Sequence, residues 1–173
     1  MSDKITVVGI DPGLEGGIAC LVDGEIVKTV KMPIISTKLG RRVSAPKFRD
    51  IIQEMNPSVI IIEEPQVRPG ENILSHLTIG VNFGILFATV SLMPVTLITL
   101  PAVVWTRAIH SLITGSKEWE THPSKMKSLK TFRKLYPKSP LIHDGMIDAV
   151  LIAFYWLWKE GHLHRIKNTT NSA

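Results

Sequence analysis

A single cysteine, Cys20, stands in a chain of 173 residues, so an internal disulfide is excluded. No paired Cys/His spacing of a structural zinc site occurs either, and the two absences together suggest a reducing compartment. A secretory leader is not expected either. The first apolar run, Ile5 to Ile10, is too short for the hydrophobic region of a signal peptide and follows Asp3 and Lys4. No repeat, linker or low-complexity tract divides the chain, which reads as one domain over residues 1–164 with a polar tail over 165–173. A chain of this length buries roughly 70% of the surface it would expose unfolded, so a core needs no covalent staple.

Charge is missing from one long interval, since no Asp, Glu, Lys or Arg lies between Asn72 and Thr106. A membrane span needs about 20 unbroken apolar residues. Here Gly80, Asn82, Gly84, Pro94 and Pro101 punctuate the stretch, and Pro94 cuts it where a span would continue. The expectation is no membrane, but a buried helix over 71–93 followed by a strand over 95–100. Most of that helix's circumference is apolar: Ile79, Phe83, Phe87 and Val90, together with Leu77, Ile85 and Leu92. The face left over after packing suits a two-fold partner, which predicts a homodimer through residues 73–93.

Charge that is present is unevenly placed. Lys117, Lys125, Lys127, Lys130, Arg133, Lys134 and Lys138 are opposed only by Glu118 and Glu120, an excess equal to the whole chain's net +5. This is the footprint expected for a polyanion, although a solvated helix face gives the same count.

Ile5 to Ile10 reads as a central strand ending in Asp11-Pro12-Gly13. Gly17 to Val22 and Ile26 to Met32, joined by Asp23-Gly24, read as an antiparallel hairpin. A polar, basic connection over Pro33 to Pro46 carries Lys38, Arg41 and Arg42, and a short helix follows with Phe48, Ile51, Ile52 and Met55. Val59 to Ile62 is a second wholly apolar strand, and it ends in Glu63-Glu64-Pro65. Pro101 suits the first turn of a helix carrying Trp105 and Ile109. After a loop over 115–123, an amphipathic helix sets Met126, Leu129, Phe132 and Tyr136 against Lys127, Lys130 and Lys134. Residues 144–159 form a core helix with Asp144 and Asp148 at its start.

Two of the strongest strands therefore deliver a carboxylate at their C-terminal ends, Asp11 and Glu63. Were those strands parallel neighbours, both acids would leave the same edge. Asp144 and Asp148, four apart, can face one point from a helix beside them. Such a cluster repels itself unless divalent cations neutralise it, and carboxylates with water are the preferred ligands of Mg2+. Taken singly, each acid has a plainer role: turn former at Asp11, solvent-facing partner within Glu63-Glu64, helix cap at Asp144, first-turn acid at Asp148.

Gly9-Ile10-Asp11-Pro12-Gly13, Ile61-Ile62-Glu63 and His143-Asp144-Gly145-Met146-Ile147-Asp148-Ala149, in that order, resemble the RuvC-type Holliday junction resolvases, particularly the shorter phage forms. The resemblance spans about residues 4–158 and takes in Gly80-Val81-Asn82-Phe83-Gly84, Pro94-Val95 and Leu100 to Trp105. It implies an α/β, ribonuclease H-like fold whose mixed five-stranded sheet has three antiparallel strands, then two parallel, flanked by helices. It also implies a homodimer that cuts four-way DNA junctions with two Mg2+ ions per site, Mn2+ substituting, in the cytoplasm of a bacterial or phage-infected cell. Residue by residue, it makes Asp11 the central acid bridging the ions, Glu63 the acid of the fourth strand of that sheet, and Asp148 the helix acid. Asp144 departs from the pattern, since many members place two helix carboxylates, or a His and an Asp, three apart. Asp144 is preferred for the fourth ligand, with His143 orienting water or phosphate. The loop after Glu63 lacks the aromatic of cellular members, so Arg68 would act by phosphate contact. DNA affinity is assigned to Lys38, Arg41, Arg42, Arg68, Lys117, Lys125, Lys127, Lys130 and Lys134.

Three rivals stand beside this reading. A nuclease of the same fold acting on other branched DNA or RNA would use the same acids. A catalytically silent junction-binding protein would keep the basic surface alone. An actin-like ATP-binding domain also opens on an Asp-x-Gly strand turn, but the chain is short for it and has no second glycine-rich phosphate loop.

Overall fold

The computed structural model describes residues 4–38, 40–66, 72–114, 124–140 and 142–163. The expected loop over 115–123, with Arg68, Lys117 and the 165–173 tail, lies outside them.

Three strands open the chain: β1 (Thr6–Asp11), β2 (Gly17–Val22) and β3 (Glu25–Lys31). Asp23 and Gly24 both adopt positive φ, 51° and 86°, the conformation that lets a two-residue turn match the twist of β2 and β3. A short hairpin, β4 (Ile34–Thr37) and β5 (Gly40–Val43), then leads into α1 (Ala45–Met55). Asn56 ends α1 in the left-handed conformation, its N–H returning to the Ile52 carbonyl just before Pro57. The remaining elements are β6 (Val59–Glu64), α2 (Ile73–Ser91), β7 (Thr96–Pro101), α3 (Ala102–Thr114), α4 (Ser124–Leu135) and α5 (Asp144–Lys159).

The main sheet runs β3-β2-β1-β6-β7, antiparallel across β3, β2 and β1 and parallel across β1, β6 and β7. This is the mixed five-stranded sheet the resemblance implies. Its central strands are apolar at nearly every position because both faces are covered. Val8, Ile10, Ile18, Ile60 and Ile62 meet Phe48 and Ile52 of α1 and Leu86 and Val90 of α2. On the other face Val7, Ala19, Leu21, Val59 and Ile61 meet α5, with Trp105 and Ile109 of α3 and Phe132 of α4.

Three expectations are corrected. The connection over Pro33 to Pro46 is not irregular but forms the β4–β5 hairpin, Ile34 opposite Val43 and Thr37 opposite Gly40. What holds it is remote: the Val43 amide donates to Oδ1 of Asn82, buried in α2, at 3.1 Å. Nor is α2 a buried helix. Only Asn82, Leu86 and Val90 are enclosed, because α1, β5 and β6 cover a single stripe of it. Pro101 also closes β7 rather than opening the next helix, which starts one residue later.

Candidate active site

Glycines bring the site together. Where α5 crosses β1, a Cβ on Gly9 would overlap the Ala149 carbonyl oxygen and stand 2.8 Å from the Ala153 nitrogen. At the start of α5, a Cβ on Gly17 would lie 2.7 Å from Cα of Met146, and one on Gly145 would be 2.7 Å from the Gly16 carbonyl carbon. Backbone thus rests on backbone, and Gly16 and Gly145 form an isolated parallel bridge. The consequence is that the first turn of α5 is pinned against the loop that follows Asp11, the last residue of β1.

Asp11, Glu15, Lys125, Ser128, His143, Asp144 and Asp148 line one cavity of about 340 Å³ at this contact. Oδ1 of Asp11 accepts the Gly13 N–H at 3.0 Å, so the Asp-Pro-Gly turn aims the carboxyl as well as reversing the chain. Burial raises the Asp11 pKa above its ordinary value, against the opposing pull of the Gly13 hydrogen bond and of His143. Asp148 is pushed up to about 6, chiefly by burial. The Ser128 hydroxyl, hydrogen-bonded to it, opposes that shift, while Asp11 and Asp144 add to it. Its Oδ1 is buried without a hydrogen-bond partner. Asp144 is more open, with Lys125 Nζ 3.7 Å from its Oδ2. His143 is the N-cap of α5, its Nδ1 accepting the Gly145 N–H at 3.3 Å. A ring nitrogen that accepts carries no proton, which leaves the proton of a neutral ring on Nε2.

Glu63 reaches the same neighbourhood by strand register. Ile10 lies opposite Ile62, so Asp11 and Glu63, one step further along parallel strands, leave the sheet side by side on the face covered by α5. Alternation settles the Glu63-Glu64 pair. Glu64 points to the opposite face and accepts from the Thr99 hydroxyl at 2.6 Å, whereas Oε2 of Glu63 accepts the Trp105 indole N–H at 2.8 Å. Glu63 does not line the cavity itself.

The basic positions divide. Lys125 joins the cavity, while Lys127, Lys130 and Lys134 project from the other side of α4, where Lys134 reaches the Ile113 carbonyl at 3.2 Å. Lys38, Arg41 and Arg42 lie on the β4–β5 hairpin. Arg41 pairs with Glu15 of the cavity rim at 2.8 Å, which ties the hairpin to the site. Glu15, Ser128 and Trp105 went unnoticed as site residues in the sequence, where Trp105 reads only as part of an apolar helix and nothing marks Glu15 or Ser128. Only the spacing of Ser128 three after Lys125, one helical turn, would have linked it to a neighbour at the site.

Among the described residues no three of His, Cys, Asp and Glu converge into a preformed metal cage. The donors nonetheless fit a divalent cation of the Mg2+ type, which keeps several waters and takes only one or two carboxylates. The partnerless Oδ1 of Asp148 and the desolvated Asp11 are oxygens whose charge the protein itself leaves poorly compensated.

The five-stranded sheet, with acids at the ends of two parallel neighbours and at the start of the last helix, has the ribonuclease H-like arrangement. The fold is that of the RuvC-type resolvases. Thermus thermophilus RuvC shares it at a TM-score of 0.61 and 17% identity, over 91% of this chain and 98% of that one. T. thermophilus RuvC in complex with Holliday junction substrate matches at 0.61 and 16%, over 91% and 97%. The yeast mitochondrial Holliday junction resolvase matches at 0.50 and 17%, over 95% and 81%. No protein-family model and no curated protein matches the sequence.

Proposed function

We propose that the protein is a divalent-metal-dependent endonuclease that resolves four-way DNA junctions by paired nicks, leaving 5′-phosphate and 3′-hydroxyl ends. The observation that carries this is the Asp148 carboxyl, buried beside Asp11 with one oxygen unpartnered in a cavity open to solvent. A packed core would have no use for it, because an uncompensated buried carboxylate is costly. The fold shared with RuvC, one structure of which holds a Holliday junction substrate, supports a junction as the substrate.

Asp11, Glu63, Asp148 and Asp144 would hold Mg2+, with Mn2+ as a substitute. Bound there, the metal would supply an activated water and stabilisation of the leaving oxygen of the scissile phosphate. The chain's own groups do the rest. The Ser128 hydroxyl orients Asp148. The Lys125 ammonium, 3.7 Å from Asp144, offsets the acid cluster where an anionic backbone must approach. His143 keeps Nδ1 on the helix cap and presents Nε2–H to water or phosphate. Substrate affinity comes from Lys38, Arg41 and Arg42 on the hairpin and from the α4 lysines, with Arg68 and Lys117 assigned the same role. It should therefore weaken steeply with salt.

The exposed face of α2 completes the reading. Ile73, Leu77, Val81, Phe87 and Ser91 fall along one stripe outside the buried one. Among the described residues α2 is the one helix long and apolar enough to cross a bilayer. A second copy of the chain explains the stripe better, because α2 is docked on β6 and α1 and spends a buried Asn82 on holding β5. Two copies present two sites to two opposed strands.

The decisive experiment is a synthetic four-way junction incubated with and without Mg2+ and mapped to the nucleotide. Symmetric cuts that need the metal, and an Asp11→Asn variant that binds the junction but cuts it at least 100-fold more slowly, are expected. Absence of cleavage by the unmodified protein in Mg2+ and Mn2+ would favour a silent junction binder.

A further inference from the structure

We propose that Trp105 is a positioning residue for the metal-dependent reaction, its indole N–H fixing the Glu63 carboxylate in the orientation from which it takes up a divalent cation; this rests on the nuclease reading above. The contact is direct, Nε1 to Oε2 at 2.8 Å. It joins two elements 42 residues apart in sequence, β6 and α3.

The donor is rigid. Trp105 is 2% exposed and sits in the core with Ile109, Phe132 and Ile61, its ring 6.1 Å from that of His110. Nothing in that environment lets the ring swing. An indole N–H can only donate, so its direction is set once the ring is packed. The acceptor by contrast is a half-buried glutamate at a strand end, a side-chain type that loses rotamer freedom on being ordered. A carboxylate already aimed before the cation arrives spares most of that loss at the moment of binding. Groups that hold a ligand without touching the metal commonly alter metal affinity 10- to 100-fold.

The competing explanation is that Glu63 merely satisfies a buried indole. The two explanations separate on metal affinity, because a structural bond lost at Trp105 lowers stability and leaves cation binding alone. The test uses the full chain without DNA and measures Mn2+ binding by calorimetry and by the electron paramagnetic resonance signal of free Mn2+. Two variants are compared with the unmodified protein. W105F keeps an aromatic ring and removes the donor, and β-(3-benzothienyl)alanine at position 105 keeps the ring outline with sulfur in place of N–H.

The expected result is a Mn2+ dissociation constant raised about 10-fold or more in both variants. The Mn2+-induced rise in Tm should shrink, and junction cleavage should recover at correspondingly higher Mg2+. Should W105F fail to fold, the isosteric variant decides. A folded isosteric variant that binds Mn2+ as tightly as the unmodified protein overturns the proposal and leaves the nuclease reading standing. An unmodified protein that takes up no Mn2+ removes both.

Discussion

Asp148 and His110 are buried titratable groups whose charges the fold disfavours, and they bend stability in opposite directions between pH 4 and 6.5. Asp148 has a folded pKa of about 6 against 3.8 unfolded, so in that interval the folded state holds the extra proton. Its contribution is present at low pH and is lost as pH rises through 6, by about 3 kcal/mol at most. Asp148→Asn should therefore raise the Tm of the metal-free protein at pH 7.5, with the gain vanishing below pH 4, while the Tm increase on adding Mg2+ disappears. Calorimetric scans of both proteins with EDTA and with Mg2+ measure this. His110 bonds Thr131 through Nδ1 at 2.7 Å, is almost fully enclosed, and has its pKa pulled down to about 4 by burial, with Lys127 adding to the effect. Here the unfolded state holds the extra proton, so stability falls as pH drops from 6.5 towards 4. His110→Asn should flatten that acid limb in urea titrations at pH 4.5 and 7, and an unchanged slope would show that His110 is not its source. Both effects come from tertiary burial, which explains what the sequence disclosed. Asp11, Glu63, Asp144 and Asp148 stand out because each ends an apolar run or starts an apolar helix. Ser128 and Trp105 carry no such mark, since what makes them part of the site is a partner 20 or 42 residues away.

Elements meet at this site through missing side chains. The α5 backbone lies on β1 at Gly9 so closely that a methyl group there would collide with main-chain atoms of Ala149 and Ala153, which no rotamer change can relieve. Gly9→Ala should destabilise by about 2 kcal/mol or more, as overpacking of a close backbone contact does. It should also lower cleavage beyond the loss of folded protein, because α5 carries Asp144 and Asp148 while β1 carries Asp11. Chemical denaturation, with activity measured per folded molecule, separates the two, and full activity in the folded fraction would show that the crossing does not set the carboxylate spacing. Elements with strong local patterns were legible: the apolar strands, the Asp23-Gly24 turn, the amphipathic α4 and the core helix α5. The β4–β5 hairpin was not, because its strands are four residues each and its anchor is the side chain of Asn82 in a distant helix. The exposure of α2 was misread for a related reason. Composition shows that the helix is apolar but not how much of it one chain can cover.

At the scale of the whole molecule, the proposed function ties that uncovered helix and the basic surfaces to one requirement. A four-way junction presents two strands for cutting, and the described residues of one chain line a single acid cavity at the end of β1. With 19 residues, α2 is about 28 Å long, enough for a continuous seam between two copies. Leu77 and Phe87 on that seam are 58% and 42% exposed in the single chain, so a charge at either costs the monomer fold little. Leu77→Asp combined with Phe87→Glu would bring four carboxylates into a two-fold interface of low dielectric, where like charges without partners are strongly unfavourable. The unmodified protein should show a dimeric mass by light scattering at micromolar concentration, and the double variant a monomeric one with an unchanged far-ultraviolet circular dichroism spectrum. On a cruciform plasmid the unmodified protein should give linear product from two cuts made within one binding event. The variant should give nicked circles that linearise only slowly, because each cut then needs a separate encounter. A monomeric mass for the unmodified protein, or paired cutting that survives in a monomeric variant, would mean that the α2 face serves something other than self-association and that a single copy reaches both strands in turn.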